Sequence, residues 1–275
     1  MIAVRFDDSF DGWRQLARSL VTNGIEPHEV EWIAGTTQES MFAAEAASQK
    51  QAASFSVPAE FVRLAESVAC FRDPARWSLL YRVLWRLTHG ERSLLSIVVD
   101  KDVHRMQRMA SAVRRDEHKM KAFVRFKRVG DENEENARYI AWFTPAHFIL
   151  ERVAPFFSHR FASMCWSILT PDGSIHWNRE ELAFGPAVDR SSAPATDELE
   201  TLWRTYYASV FNPARLKTSA MRSEMPKKYW SGLPEARLIP DLIADAPRRV
   251  REMKVSDSSG RSELEHPASG GVSDA

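Results

Sequence analysis

Cysteine is scarce: Cys70 and Cys165 are the only two among 275 residues, and they form no CxxC pair. A zinc ribbon and a thioredoxin-type redox pair are therefore excluded. Two isolated cysteines are expected to act as small hydrophobes, and such sparse usage suits a reducing compartment. No run of about eighteen apolar residues occurs, so no transmembrane helix is expected. The opening MIAVRFDDSF turns acidic at once and lacks the form of a signal peptide, so the cytoplasm is the expected location. Walker A, GxGxxG, GxSxG and CxxxCxxC patterns are also missing. That argues against a P-loop ATPase, a Rossmann enzyme, an α/β-hydrolase and a radical-SAM enzyme. There is no HxH, HExxH or Cys/His cluster, and neither a metal nor a cofactor is expected. Asp7, Asp8 and Asp11 are the one conceivable oxygen-ligand set, with helix capping the preferred explanation.

Net charge is absent too, with 37 Lys and Arg against 37 Asp and Glu. The charge is nonetheless unevenly spread. Residues 1–66 hold five basic and ten acidic residues, a difference of −5. Residues 101–128 hold ten basic and three acidic, a difference of +7, and residues 213–230 hold five and one, a difference of +4. Local charge of one sign is evidence about partners rather than fold.

What is present is ordinary core material, 44% hydrophobic residues with nine Trp and fifteen Phe, enough for a sizeable core. Residues 2–6 form a predicted strand. A helix capped by Asp8 or Ser9 carries Phe10, Trp13, Leu16, Ala17 and Leu20 and stops at Asn23-Gly24; a second strand runs from Val30 to Ile33. Residues 40–56, rich in Ala, Ser and Gln, are expected to be a weak helix or a mobile connection. Helices follow from Pro58 to about Cys70, and from Asp73-Pro74 to His89-Gly90 with Trp77, Leu80, Tyr81, Leu84 and Leu87 on one face.

The helix over 101–121 has two faces. Val103, Met106, Ala110, Val113 and Met120 recur at helical spacing, with Glu117 interrupting; Lys101, Arg105, Arg108, Arg115 and Lys119 make a basic stripe opposite. It runs into KAFVRFKR, which alternates like a strand, with Phe123, Arg125 and Lys127 on one side. A strand over 139–143, a helix opened by Thr144-Pro145 and containing His147, and a hairpin of 164–169 with 174–177 come next. Residues 189–196 are a loop, Asp197 and Glu200 resemble a capping box, and 199–210 carry a helical stripe. A final helix covers about 240–252. The expected class is α+β: a helix-rich single domain, residues 1–253, with a mostly antiparallel sheet and a disordered tail over 254–275.

Two basic segments have the composition of a phosphate-binding surface. In the first, Arg115, Lys119, Lys121 and Arg125 would hold phosphates and Phe123 would stack on a base. In the second, Lys217, Arg222, Lys227 and Lys228 would do the same beside Tyr229 and Trp230. The bland alternative is a solvated helix face and a pinned surface loop. KMKAFVRF (119–126) echoes an RNA-recognition strand, but Met120 replaces the glycine and Lys121 the first stacking aromatic, which rejects that fold. His118 and His147 are the candidate acid/base residues, each more simply explained as structural.

Several long runs are similar, in order, to one family: RDPARWSLLYRVLWRLTHG (72–90), AVRRDEHKMKAFVRF (112–126), APFFSHRFASMCWSILTPDGS (154–174), LWRTYYASVFNPARLK (202–217) and EMPKKYWSGLPEA (224–236), with FDDSFDGW (6–13) at the start. They resemble a bacterial family of unknown function linked to DNA repair or DNA metabolism, encoded beside a radical-SAM protein or fused ahead of a uracil-DNA-glycosylase-like domain. The resemblance spans about 1–35 and 57–253. It implies DNA as partner, with a radical-SAM protein or a uracil-DNA-glycosylase-like protein as protein partner, and it assigns no catalytic residue. The glycosylase-like part has no counterpart in this chain, and a stand-alone or truncated version is expected. The resulting expectation is a DNA-repair accessory protein that binds nucleic acid through a basic, aromatic surface. The alternatives are an enzyme acting on a DNA base or nucleotide, and a protein-interaction module.

Overall fold

The computed structural model describes residues 1–35, 55–129, 137–192, 229–230 and 233–262. The chain forms two compact units that alternate along the sequence. The first comprises Met1–Ala122 and Thr144–Ala162, the second Phe123–Phe143 and Ser163–Ala275. The helix-rich α+β class and the mostly antiparallel sheet are as expected.

The first unit opens with β1 (Ile2–Phe6), α1 (Phe10–Thr22) and β2 (Val30–Ala34), and the two strands pair in parallel, Ile2 opposite Val30. Ser9 caps α1 by accepting the Gly12 N–H at 2.9 Å. Gly24, at φ +69°, turns the chain after the helix. Then come α2 (Ala59–Ala69), α3 (Ala75–Thr88) and α4 (Lys101–Phe123). The face expected for α3 is buried, but so are Leu79 and Val83, which makes α3 the central helix of this unit.

Aromatic rings form the middle of this core. Phe6 meets Trp77 edge-on with centroids 5.1 Å apart, Trp13 lies 6.0 Å from Trp77, and Trp32 meets Tyr81 at 5.5 Å. Each such pair contributes about 0.5–1.5 kcal/mol beyond the area it buries. Arg76, nearly inaccessible, is neutralised inside the unit: Asp8 accepts from its Nη2 and from Trp77 Nε1, both at 2.7 Å. A buried charge persists only when paired in this way. Asp8, at φ +58°, is thus a structural anion rather than a metal ligand. Asp7 accepts from the Ser9 N–H and hydroxyl, completing the cap.

The second unit is built on a five-stranded sheet in chain order: β3 (Lys127–Val129), β4 (Arg138–Trp142), β5 (Cys165–Thr170), β6 (Gly173–Trp177) and β7 (Leu182–Gly185). Three of its four pairings are antiparallel; β4 and β5 run parallel, Ile140 opposite Ser167. The hairpin falls where expected, with Trp166 opposite Trp177. β7 has no counterpart among the sequence expectations. The last helix, α6, runs Ile239–Ser262, past the expected end at 252 and into the segment read as a disordered tail. Asp245 pairs with both Arg248 and Arg249, and Arg248 with Glu252, at one-turn spacing that supports its middle.

Two expectations fail, the second for a reason visible in the hydrogen bonds of 144–149. KAFVRFKR is not a strand from its first residue: α4 continues through Phe123, and β3 begins only at Lys127. Thr144-Pro145 does not open a helix: α5 begins at Leu150 (Leu150–Arg160), and 144–149 is an irregular turn. Its backbone groups have better partners elsewhere. Asp116 accepts from the N–H of Ala146 (2.7 Å) and His147 (2.9 Å), Phe148 N–H reaches the Cys70 carbonyl (2.9 Å), and Arg72 donates to the Ala146 carbonyl (3.0 Å). Long-range hydrogen bonds outcompete the local helix signal. The expectations for 40–54 and for 197–210 lie outside the described residues.

Candidate functional site: a basic cleft on helix α4

The position of α4 is set at its N-terminus by a charge network. Asp100 Oδ1 accepts from the N–H of Asp102 (3.0 Å) and Val103 (3.1 Å), capping the helix. Arg86 donates to Asp100 (2.7 Å) and Glu91 (2.8 Å), and Arg82 grips Asp102 through two bonds of 3.0 and 2.8 Å. The Arg86 guanidinium holds the Asp100 carboxyl at about 2, well below its ordinary range. Further along, Asp116 is only 4% exposed and ties the 146–147 turn to the helix.

With one face of α4 in the core, its other face borders an open cleft of about 870 Å³. Lys101, His104, Arg105, Arg108 and Arg115 line it from the helix, and Phe71 and Asp73 from the segment after α2. Arg105 approaches Asp73 at 3.5 Å, a loose pair with both side chains about half exposed, hence worth little. Lys101, Arg108 and Arg115 have no ion-pair or hydrogen-bond partner among the described residues. Phe71 is backed by His147, whose ring stacks on it at 4.4 Å and 27°. His147 Nδ1 accepts from the Arg72 N–H at 3.4 Å, so this imidazole supports an aromatic wall. The cleft therefore combines separated cations with a flat apolar surface and one compensating carboxylate.

Cys70, next to Phe71, has a thiol disfavoured as the thiolate. Burial pushes its thiol up to about 11, with Arg152 opposing, and it donates to the Glu66 carbonyl.

The sequence candidates separate. Arg115 lines the cleft. Lys119, half-buried on the same helix, does not, and Lys121 lies over the Phe156 ring at 5.3 Å. Phe123 and Arg125 belong to the second unit, so the basic block divides at Ala122. Phe123 packs on Tyr229 at 5.5 Å, and Tyr229 on Phe143 at 5.2 Å and 11°. At 7% exposure Tyr229 is core, which removes it as a base-stacking surface; a ring buried between two others has no free face. Arg125 donates to the Val124 carbonyl at 3.2 Å. Trp230 is half-buried in a short helical turn. Lys217, Arg222, Lys227 and Lys228 lie outside the described residues. His118 is exposed on α4 rather than at the border of its apolar face, and it is not among the cleft residues.

Sequence reasoning assigned no site role to Phe71, His104, Lys101, Arg105 or Arg108. The last three stood in the basic stripe at helical spacing, a usable signal; Phe71 and His104 carried none. A second polar cluster lies on the sheet: His176 sits between Ser167 Oγ (2.8 Å) and Ser174 Oγ (3.0 Å). Both ring nitrogens are engaged, and a Cβ at Gly185 would fall 2.5 Å from Ser174 Oγ and displace that hydroxyl. These are features of a structural cross-strand contact. Among the described residues, no helix is long and apolar enough to cross a membrane, and no group of three His, Cys, Asp or Glu is placed to hold a metal ion.

A family profile, described as DUF4130, a domain of unknown function, matches residues 74–235. No curated protein and no solved structure matches the chain.

Proposed function

The chain belongs to the DUF4130 family, and we propose that it is a DNA-repair accessory protein that binds nucleic acid in the basic cleft of α4. The observation that carries this reading is the convergence of Lys101, Arg108 and Arg115, without partners among the described residues, on one open cleft walled by Phe71. Unpaired, solvated cations a helical turn or two apart suit successive backbone phosphates, and each contact releases condensed counterions. A supported aromatic ring beside them suits a stacked base, which needs only a flat face. The runs resembling the DNA-metabolism family contain Arg115 (112–126) and adjoin Phe71 (72–90), which supports DNA as the polymer. On the same resemblance, a radical-SAM protein or a uracil-DNA-glycosylase-like protein is the partner to which DNA would be delivered.

The test is a titration of single-stranded, duplex and uracil-containing DNA at two salt concentrations. With four basic side chains in the cleft, log K should fall with log salt at a slope of about −3 on single strands. Arg108→Ala/Arg115→Ala should reduce that slope. Lys227→Ala/Lys228→Ala, run beside it, reports whether the second basic segment contributes. Wild type that binds no DNA at low salt overturns the proposal.

A further inference from the structure

The turn ahead of α4 has an unusual surface. Ile97, Val98 and Val99 are 45%, 65% and 89% exposed, three consecutive apolar side chains at one tip. The tip is hydrogen-bonded at both ends. Leu94 and Leu95 are buried beneath it, Ile97 N–H reaches the Leu94 carbonyl and Asp100 N–H the Ile97 carbonyl, each at 3.0 Å. On the far side, Asp100 is fixed by the helix cap and by Arg86.

What could meet it is narrowed by its surroundings. The carboxylates beside the tip, Asp100 and Asp102, are bonded to Arg86 and Arg82, and Arg86 also holds Glu91. The cleft begins at Lys101, whose Cα lies within about 7 Å of that of Val99 by chain length alone. The apolar tip is thus two residues along the chain from the first cation of the cleft. Proteins that insert apolar wedges between base steps place them in this way, beside groups that hold the phosphates. Resting on the reading of the cleft as a nucleic-acid site, we infer that Val98 and Val99 form a wedge that enters a base step of duplex DNA and unstacks it.

A short duplex carrying 2-aminopurine at alternate steps reports unstacking as a rise in fluorescence. The full chain should raise it several-fold on binding. Val98→Ser/Val99→Ser alters two exposed positions; it should bind with the same salt slope and about tenfold more weakly, without the rise. Binding by both proteins with the same fluorescence change, or with none, overturns the wedge and leaves the cleft standing. Wild type that fails to bind at low salt overturns both. A vesicle arm with phosphatidylserine separates the remaining possibility: vesicle binding by wild type that the double variant loses, with DNA fluorescence unaffected, makes the tip a membrane contact and overturns the wedge.

Discussion

From Lys101 to Arg115, helix α4 presents three cations without partners among the described residues, along an open cleft. From Lys119 to Arg125 the density of positive charge in the sequence is as high, yet Lys121 lies over an aromatic ring, Phe123 packs on Tyr229, and Arg125 donates to a backbone carbonyl. Charge density alone does not make a binding surface. What matters is whether each cation is left unpaired and solvated, and whether neighbouring cations belong to one surface. The boundary between the two compact units falls within this stretch, at Ala122.

Asp116 offers the strongest way to break the comparison. Asp116→Ala leaves two backbone N–H groups without their acceptor and should cost about 3 kcal/mol in urea unfolding, against about 1–2 for Asp116→Asn, which keeps one acceptor oxygen. A loss below about 1 kcal/mol for the alanine variant would mean that the 144–149 turn is held by other contacts. Cys70 comes next. With its thiol at about 11 instead of an ordinary 9.0, alkylation at pH 8 should run roughly 100-fold slower than for a cysteine of ordinary pKa, measured by mass spectrometry of the labelled protein.

Affinity then compares the two stretches directly. Arg108→Ala/Arg115→Ala should weaken DNA binding about tenfold at low salt, or about 1.4 kcal/mol, while Lys119→Ala/Lys121→Ala should change it less than about threefold. Equal losses would return the site to the whole helix. The smallest effect is acidic. Asp100 is depressed in the folded state, chiefly by the Arg86 hydrogen bond, so its contribution is present above the ordinary value of 3.8 and is lost as pH falls toward about 2. Thermal midpoints should therefore decline across that window, and Asp100→Asn should flatten that part of the profile.

Much of the first unit was legible from local rules. The β1–α1–β2 opening, the Ser9 cap, the Asn23-Gly24 stop, the α2 and α3 boundaries and the two faces of α4 follow from apolar periodicity and cap chemistry within a few residues of each element. The hairpin of β5 and β6 follows from its turn residues. The end of α4 was not legible, because residues 121–128 alternate as a strand would. The start of α5 was not legible either, because Asp116 and Cys70 capture that backbone from far away in sequence.

For the site, sequence determined that α4 would carry a row of cations opposite a core face, since a 3.6-residue period fixes which side chains share a side. Only tertiary structure decided which of those cations stay unpaired. It also decided that half-buried Phe71 borders the cleft while Tyr229 lies in the core, and that the valines before the helix stand out into solvent. Pairing, burial and exposure depend on which distant residues arrive alongside, and no local pattern encodes that.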